Sequence, residues 1–207
     1  MKTVQTCDLV SEIMMPKRFS PSCERNKQPI FDQLAIYFKH SQVVLEIGSG
    51  TGQHAVFFAP QMPHLNWHTS DMPENHASVS AWIAEFGSDN IAHPIEFTVG
   101  QDVWPCIEVD AVFTANTTHI MQPHEAQAMM AMVANNLPSG GVFCQYGPMI
   151  VNGDYSCDND REFDESLQQR GFGGICDIQQ LESWAKGMVL VAKIPMPANN
   201  FLLVWNK

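Results

Sequence analysis

Apolar and polar residues follow two rhythms along this chain. Short runs dense in Val, Ile, Leu and Phe lie between stretches whose apolar positions return at helical spacing. "QVVLEI" (42–47) is apolar without alternation, the pattern of a strand covered on both faces. "GQHAVFFAPQM" (52–62) predicts a short helix after it, and "LNWHTSD" (65–71) a second strand. "PENHASVSAWIAEFG" (73–87) predicts a helix opened by Pro73 and closed by Gly87. "PIEFTV" (94–99) and "VDAVFTAN" (109–116) predict the third and fourth strands. "HEAQAMMAMVANNL" (124–137), rich in Ala and Met, predicts a helix that ends at "PSGG" and leads into the strand "GVFCQYG" (141–147). Strands alternating with helices in this way describe a mainly parallel sheet covered on both faces.

Past Pro148 the rhythm changes. "MIVNGDYSCDND" has the composition of a loop, while "REFDESLQQR" and "DIQQLESWAKG" are helical. "MVLVAKI" and "NNFLLVWNK" are two β-rich runs joined only by "PMPA". A parallel crossover needs about a dozen residues, so these two strands must be antiparallel. That ending separates the chain from dinucleotide-binding folds, whose sixth strand stays parallel. Ahead of the first strand, "CERNKQPIFDQLAIYFKH" carries Ile30, Leu34 and Phe38 on an amphipathic helix that can pack over the sheet or over a site. No repeat or flexible linker divides the chain, so residues 1–207 are expected to form one domain, with 1–40 as a helical lid and 148–176 as an insertion.

Composition narrows the function. At 207 residues with 45% hydrophobic and 16% charged, the chain is long enough for one substantial core. Eleven Lys and Arg against 22 Asp and Glu give a net charge of -11, which repels phosphate backbones and disfavours nucleic acid as partner. The six cysteines form no Cys-x-x-Cys pair, and His64 and His68 straddle a loop and a strand rather than one helix face, so no metal site is expected. No apolar run approaches the roughly 18 residues of a membrane span, and the N-terminus lacks a signal pattern, so a cytoplasmic protein is expected.

The chemistry concentrates in "LEIGSGTGQH" (45–54). A glycine-rich turn between strand and helix aims backbone N–H groups at a ligand. A P-loop counted from Gly48 requires Gly at Gln53 and Lys at His54, so nucleoside triphosphate binding is excluded. The dinucleotide fingerprint fails at Gln53 as well. What stands is Glu46-x-Gly48-x-Gly50-x-Gly52, with Ser49 inside the turn. Asp71 closes the next strand, 19 residues after Gly52, followed by Met72. A carboxylate there can accept both ribose hydroxyls of a nucleoside, at about 1.5–3 kcal/mol for each charged hydrogen bond. Asn116 ends the fourth strand, where ligands collect in open α/β sheets.

These elements resemble the class I S-adenosylmethionine-dependent methyltransferases. The resemblance implies a Rossmann-like, seven-stranded, mostly parallel sheet with an antiparallel C-terminal strand and helices on both faces. It implies S-adenosylmethionine as cofactor, its amino-acid part lying over the glycine turn. By the same resemblance Asp102 receives the adenine amino group and the Val103 N–H reaches the ring. A narrower similarity is carried by "ERNKQPI", "LEIGSGTGQHAVFFA", "DAVFTANTTHI", "YGP", "NDREFDESLQQR" and "MPANNFLLVW", in order across nearly the whole chain. These match the DUF938 or UPF0585 group, relatives of methyltransferase-like protein 26. Around "RGFGGICD" the chain departs from that group, which tends to have a longer segment there.

Methyl transfer from a sulfonium is an in-line displacement with a good leaving group, so alignment can supply roughly 7–11 kcal/mol of the barrier reduction. Acceptor-side residues are therefore chosen by position. His119, just past the fourth strand, is placed to take a proton from an attacking oxygen, nitrogen or thiol, and Tyr146, ending the fifth, to orient the acceptor. Arg25 with Asn26 on the N-terminal helix is expected to fold over the cofactor and pair with its carboxylate. Asn159, Phe163 and Asp164 of the insertion and Asn199 and Asn200 of the last turn are candidates for the acceptor pocket. The expected activity is methyl transfer to a small-molecule acceptor. A non-catalytic cofactor-binding protein and a protein methyltransferase are the alternatives.

Overall fold

The computed structural model describes residues 17–207, so Cys7 and positions 1–16 of the expected lid lie outside the described residues. Seven strands form one sheet. They are β1 (Val43–Ile47), β2 (Asn66–Asp71), β3 (Ile91–Glu96), β4 (Ala111–Ala115), β5 (Val142–Pro148), β6 (Val189–Met196) and β7 (Asn200–Asn206), in the order β3-β2-β1-β4-β5-β7-β6. Strands β1 to β5 pair in parallel, and β7 runs antiparallel between β5 and β6. The three-residue turn after Met196 permits only that antiparallel pairing. The order reverses between β1 and β4, which opens a crevice at the strands' carboxyl ends.

The sheet separates two cores. On one face α1 (Pro21–Tyr37) and α2 (Gln53–Phe58) lay Ile30, Leu34 and Phe58 against Val44, Trp67 and Phe113 of the strands. On the other, Met129, Met130 and Val133 of α4 (Pro123–Asn136) and Leu181 of α6 (Ile178–Trp184) cover Leu45, Val112, Phe143 and Trp205. Two further helices are α3 (Pro73–Phe86), which begins right after β2, and α5 (Asp158–Gln169) in the insertion.

Two elements differ from their sequence expectations. Strand β3 lies three residues earlier than "PIEFTV" indicates, with Pro94 inside it. Its pairing with β2 is irregular between His68 and Ser70, opposite the His93–Pro94 step, and an edge strand tolerates a residue that lacks an N–H. Helix α5 starts at Asp158 rather than Arg161, because Asp158 and Asp160 suit the positive end of a helix dipole.

Strand alternation also decides where Glu46 points. It lies two residues beyond Val44, on the same face, and is buried beneath α1 and α2 with its Oε2 accepting from Trp67 Nε1 at 3.0 Å. Burial pushes its pKa from 4.5 up to about 7, against the opposing pull of hydrogen bonds from Trp67 and Ser49. Gly52 caps α2 at a φ of 94°, and an added Cβ would stand 2.9 Å from the Val79 Cα of α3. Gly52 therefore lets α2 and α3 approach closely.

Gly52→Ala combines a left-handed alanine with a backbone clash and should lose roughly 2–5 kcal/mol in urea unfolding. Gly50→Ala, at a φ of 60° with nothing near its missing Cβ, should lose only about 1–2 kcal/mol. Between pH 4.5 and 7 folded Glu46 keeps a proton that the unfolded chain releases, so its contribution to stability falls as pH rises through that window. Glu46→Gln removes this loss, and its stability relative to wild type should improve by roughly 3 kcal/mol across the same range.

Candidate functional site

A cavity of about 830 Å³ occupies the crevice at the carboxyl ends of β1, β2, β4 and β5, roofed by the start of α1. This is the size of a small-molecule site. Of the sequence-predicted residues, Arg25, Asn26, Gly48, Ser49, Gly50, Asp71, Met72, Asn116, His119, Tyr146, Phe163 and Asn200 line it.

The glycine turn is bound to the neighbouring strand. The Gly48 and Ser49 N–H groups both donate to the Ser70 carbonyl at 3.0 Å, and the Ser70 N–H donates to Ser49 Oγ. A Cβ on Gly48 would strike the Thr117 side chain at 2.8 Å, so the turn and the β4 loop touch backbone to side chain. The Gly50 N–H donates to Asp71 Oδ2 at 2.6 Å, while Asp71 Oδ1 accepts from the Met72 N–H at 2.8 Å and from Asn75 Nδ2 at 2.6 Å. The Asp71 carboxylate thus ties the turn to the N-terminus of α3 as well as facing the cavity.

Two predicted cofactor residues lie off the cavity in the fold itself. Glu46 is buried under the helices on the other side of its strand, and Gly52 packs on α3. Two more are displaced by the position of β3. Because that strand ends at Glu96, its carboxyl end presents Phe97, Thr98 and Val99 to the cavity. Asp102 instead closes its own turn, accepting from the Thr98 N–H at 2.6 Å, and Val103 is 86% exposed to solvent. Neither lines the cavity.

At the opposite end, Asn26, Tyr146, His119 and Phe163 converge. Phe163 meets the His119 ring edge to face at 5.7 Å between centroids. Burial lowers the His119 pKa to about 4, with nearby Asp164 pulling weakly the other way. The ring is therefore neutral at pH 7 and a much poorer base than its unperturbed value promises. Burial raises the Tyr146 phenol, with the Asn26 side chain set against its hydroxyl. Asn26 Oδ1 lies 2.8 Å from Nε2 of His54, whose pKa burial lowers to about 4. Asp164 is buried within the insertion, accepting from Tyr155, Gln168 and the Ile175 N–H, and holds that segment in shape. Asn159 is exposed and Asn199 bonds Cys157 Sγ, so neither reaches the cavity, where Asp160, Pro197 and Ala198 stand instead. Arg25 is exposed at the rim, donating to Ser22 Oγ.

Beside the cavity, Gln53 and His54, which exclude a phosphate loop, are used to hold α1, and of the two His54 lines the cavity. Gln53 Nε2 donates to Glu24 Oε1 at 2.7 Å and its Oε1 accepts from the Ser20 N–H, while His54 meets Asn26. Asn75 reaches the cavity because it stands four residues after Asp71, one turn into the helix that Pro73 opens. That spacing in "DMPEN" is the signal for it. Among the described residues no group of three or more His, Cys, Asp or Glu converges as for a metal, and no helix is long and apolar enough to cross a membrane.

Solved structures share this architecture. An O-methyltransferase family protein from Burkholderia thailandensis superposes with a TM-score of 0.77 at 14% identity, over 90% of this chain and 57% of its own. Human N-acetylserotonin methyltransferase in complex with SAM gives 0.76 at 12%, over 90% and 52%. An O-methyltransferase family 2 protein from Planctomyces limnophilus in complex with apigenin gives 0.71 at 16%, over 87% and 61%. This chain spans only about half to three fifths of their length, and at such identities the likeness establishes the class I methyltransferase fold. Residues 17–207 match a family described as a protein of unknown function, DUF938, and the chain belongs to that family.

Proposed function

We propose that this protein is a cytoplasmic S-adenosylmethionine-dependent methyltransferase acting on a small-molecule acceptor. The observation that carries the proposal is the joining of Gly50 to Asp71 in the floor of a cavity at the sheet's switch point. Gly50 offers open space above a bare backbone, suited to the amino-acid part of the cofactor, and Asp71 offers a carboxylate to the ribose. Phe97 and Val99 give apolar surface for the adenine in place of Asp102 and Val103. The structures of similar fold that hold SAM or apigenin support the cofactor class and a small acceptor.

The cofactor supplies an activated methyl group, and this chain's residues align the acceptor with it. His119, Tyr146, Asn26 and Phe163 form the acceptor end, with Asn200 at its edge. His119 is neutral there, so it serves as a hydrogen-bonding wall and the reaction relies on alignment rather than on a strong base. The second reading is a non-catalytic binder of the cofactor or its product, and the weak base does not separate it from the first, since alignment alone can drive the transfer. A metabolite that gains the mass of one CH2 group when incubated with protein and cofactor decides for the transferase.

Titration calorimetry should show S-adenosylhomocysteine binding at micromolar Kd or tighter, and no heat at millimolar ligand overturns the cofactor assignment. Asp71→Asn keeps the side chain's shape and should weaken that binding tenfold or more. In histidine NMR spectra, the His119 resonances, assigned with His119→Gln, should stay those of neutral imidazole down to pH 5.5 and move only toward pH 4.

A further inference from the structure

The Asp71 carboxylate has less to give than its position implies. An ionised carboxylate offers about four lone-pair sites. Among the described residues three N–H groups already occupy it, from Gly50, Met72 and Asn75. One site is left, whereas a ribose presents two hydroxyls.

That site is on Oδ2, and Asn75, which bonds the carboxylate's other oxygen, lines the same cavity. Its amide gives one N–H to Asp71 Oδ1 at 2.6 Å, and its Oδ1 accepts from a guanidinium nitrogen of Arg18. One N–H and one carbonyl lone pair remain on Asn75, a donor and an acceptor together, which is the complement of a hydroxyl. Arg18 sets this arrangement from outside the cavity. Its guanidinium also donates to the Gly50 carbonyl at 3.4 Å, its backbone N–H donates to Ser78 Oγ at 3.1 Å, and its carbonyl accepts from Trp82 Nε1 at 2.7 Å. Lys17 pairs with Glu85 and lies 4.2 Å over the Trp82 ring, and Phe19 stacks on Trp82. The segment ahead of α1 is thereby fastened along α3 with Arg18 aimed at Asn75.

We infer that Asn75 is a second ribose-binding residue, taking the hydroxyl that Asp71 has no lone pair left to accept, and that Arg18 is a positioning residue that orients the Asn75 amide. The inference rests on the cofactor reading above, and it assigns the ligand chemistry of this corner as a cis-diol shared between a carboxylate and an amide. Arg18 does not line the cavity, and it acts chiefly through Asn75, its bond to the Gly50 carbonyl being the longer at 3.4 Å.

Calorimetry on the full chain with S-adenosylhomocysteine, adenosine, 2′-deoxyadenosine and 3′-deoxyadenosine tests it. Alanine is a better helix former than asparagine and Arg18 is exposed, so both alanine variants should fold, with melting curves as the check. Asn75→Ala should weaken adenosine and S-adenosylhomocysteine by the same factor, about fivefold or more. For one of the two deoxynucleosides it should bind as wild type does, because the hydroxyl that Asn75 serves is missing. Arg18→Ala should weaken binding in the wild-type background and add nothing in the Asn75→Ala background. Wild-type binding that Asn75→Ala leaves unchanged, or additive effects of the two substitutions, overturns this inference alone. If wild type binds neither adenosine nor S-adenosylhomocysteine, the cofactor reading falls and this inference with it.

Discussion

The arrangement of the cavity depends on one carboxylate. Asp71 stands where β2 ends and α3 begins, and it gathers N–H groups from the glycine turn, from the first residue after the strand and from the first turn of α3. A buried carboxylate accepting several N–H groups is worth far more than a solvated one, since the low dielectric strengthens each bond and penalises any left unmade. The turn between β1 and α2 is consequently fastened to β2 at Gly48, Ser49 and Gly50, while Gly52 brings α2 onto α3. The floor of the cavity is rigid because four elements share that short stretch of backbone.

The roof is held differently. Helix α1 is clamped to the same turn through polar side chains, Gln53 with Glu24 and Ser20, and His54 with Asn26. Most of the ionisable groups beneath it are held uncharged by burial. Glu46 is drawn toward its protonated form, and His54 and His119 stay neutral well below their ordinary range. The cavity presents hydrogen-bonding groups and apolar walls, and apart from the neutral histidines the acidic and basic side chains that line it are Asp71, Glu125, Asp160 and Arg25. Charge is removed where it would need a partner in the core.

The order of elements, the antiparallel ending and the place of the crevice were legible in the amino-acid sequence. They rest on local causes: strand and helix periods, Pro73 and Gly87 at helix ends, and a link after Met196 too short for a crossover. Gly48, Gly50, Asp71 and Asn116 were legible for the same reason, since a strand's last residues must face the carboxyl-end crevice. The tertiary structure decided the rest. Glu46 and Gly52 carry the glycine motif yet serve the packing, because which face of a strand meets helices and how near two helices come are not written in spacing. Asp102 and Val103 lost their place to Phe97, Thr98 and Val99 because the register of an edge strand with an internal proline is set by its single neighbour. The contacts of Arg18 with Asn75 and of Asn26 with His54 arise only when residues distant in sequence meet, and the neutrality of His119 follows from burial that only the assembled fold creates.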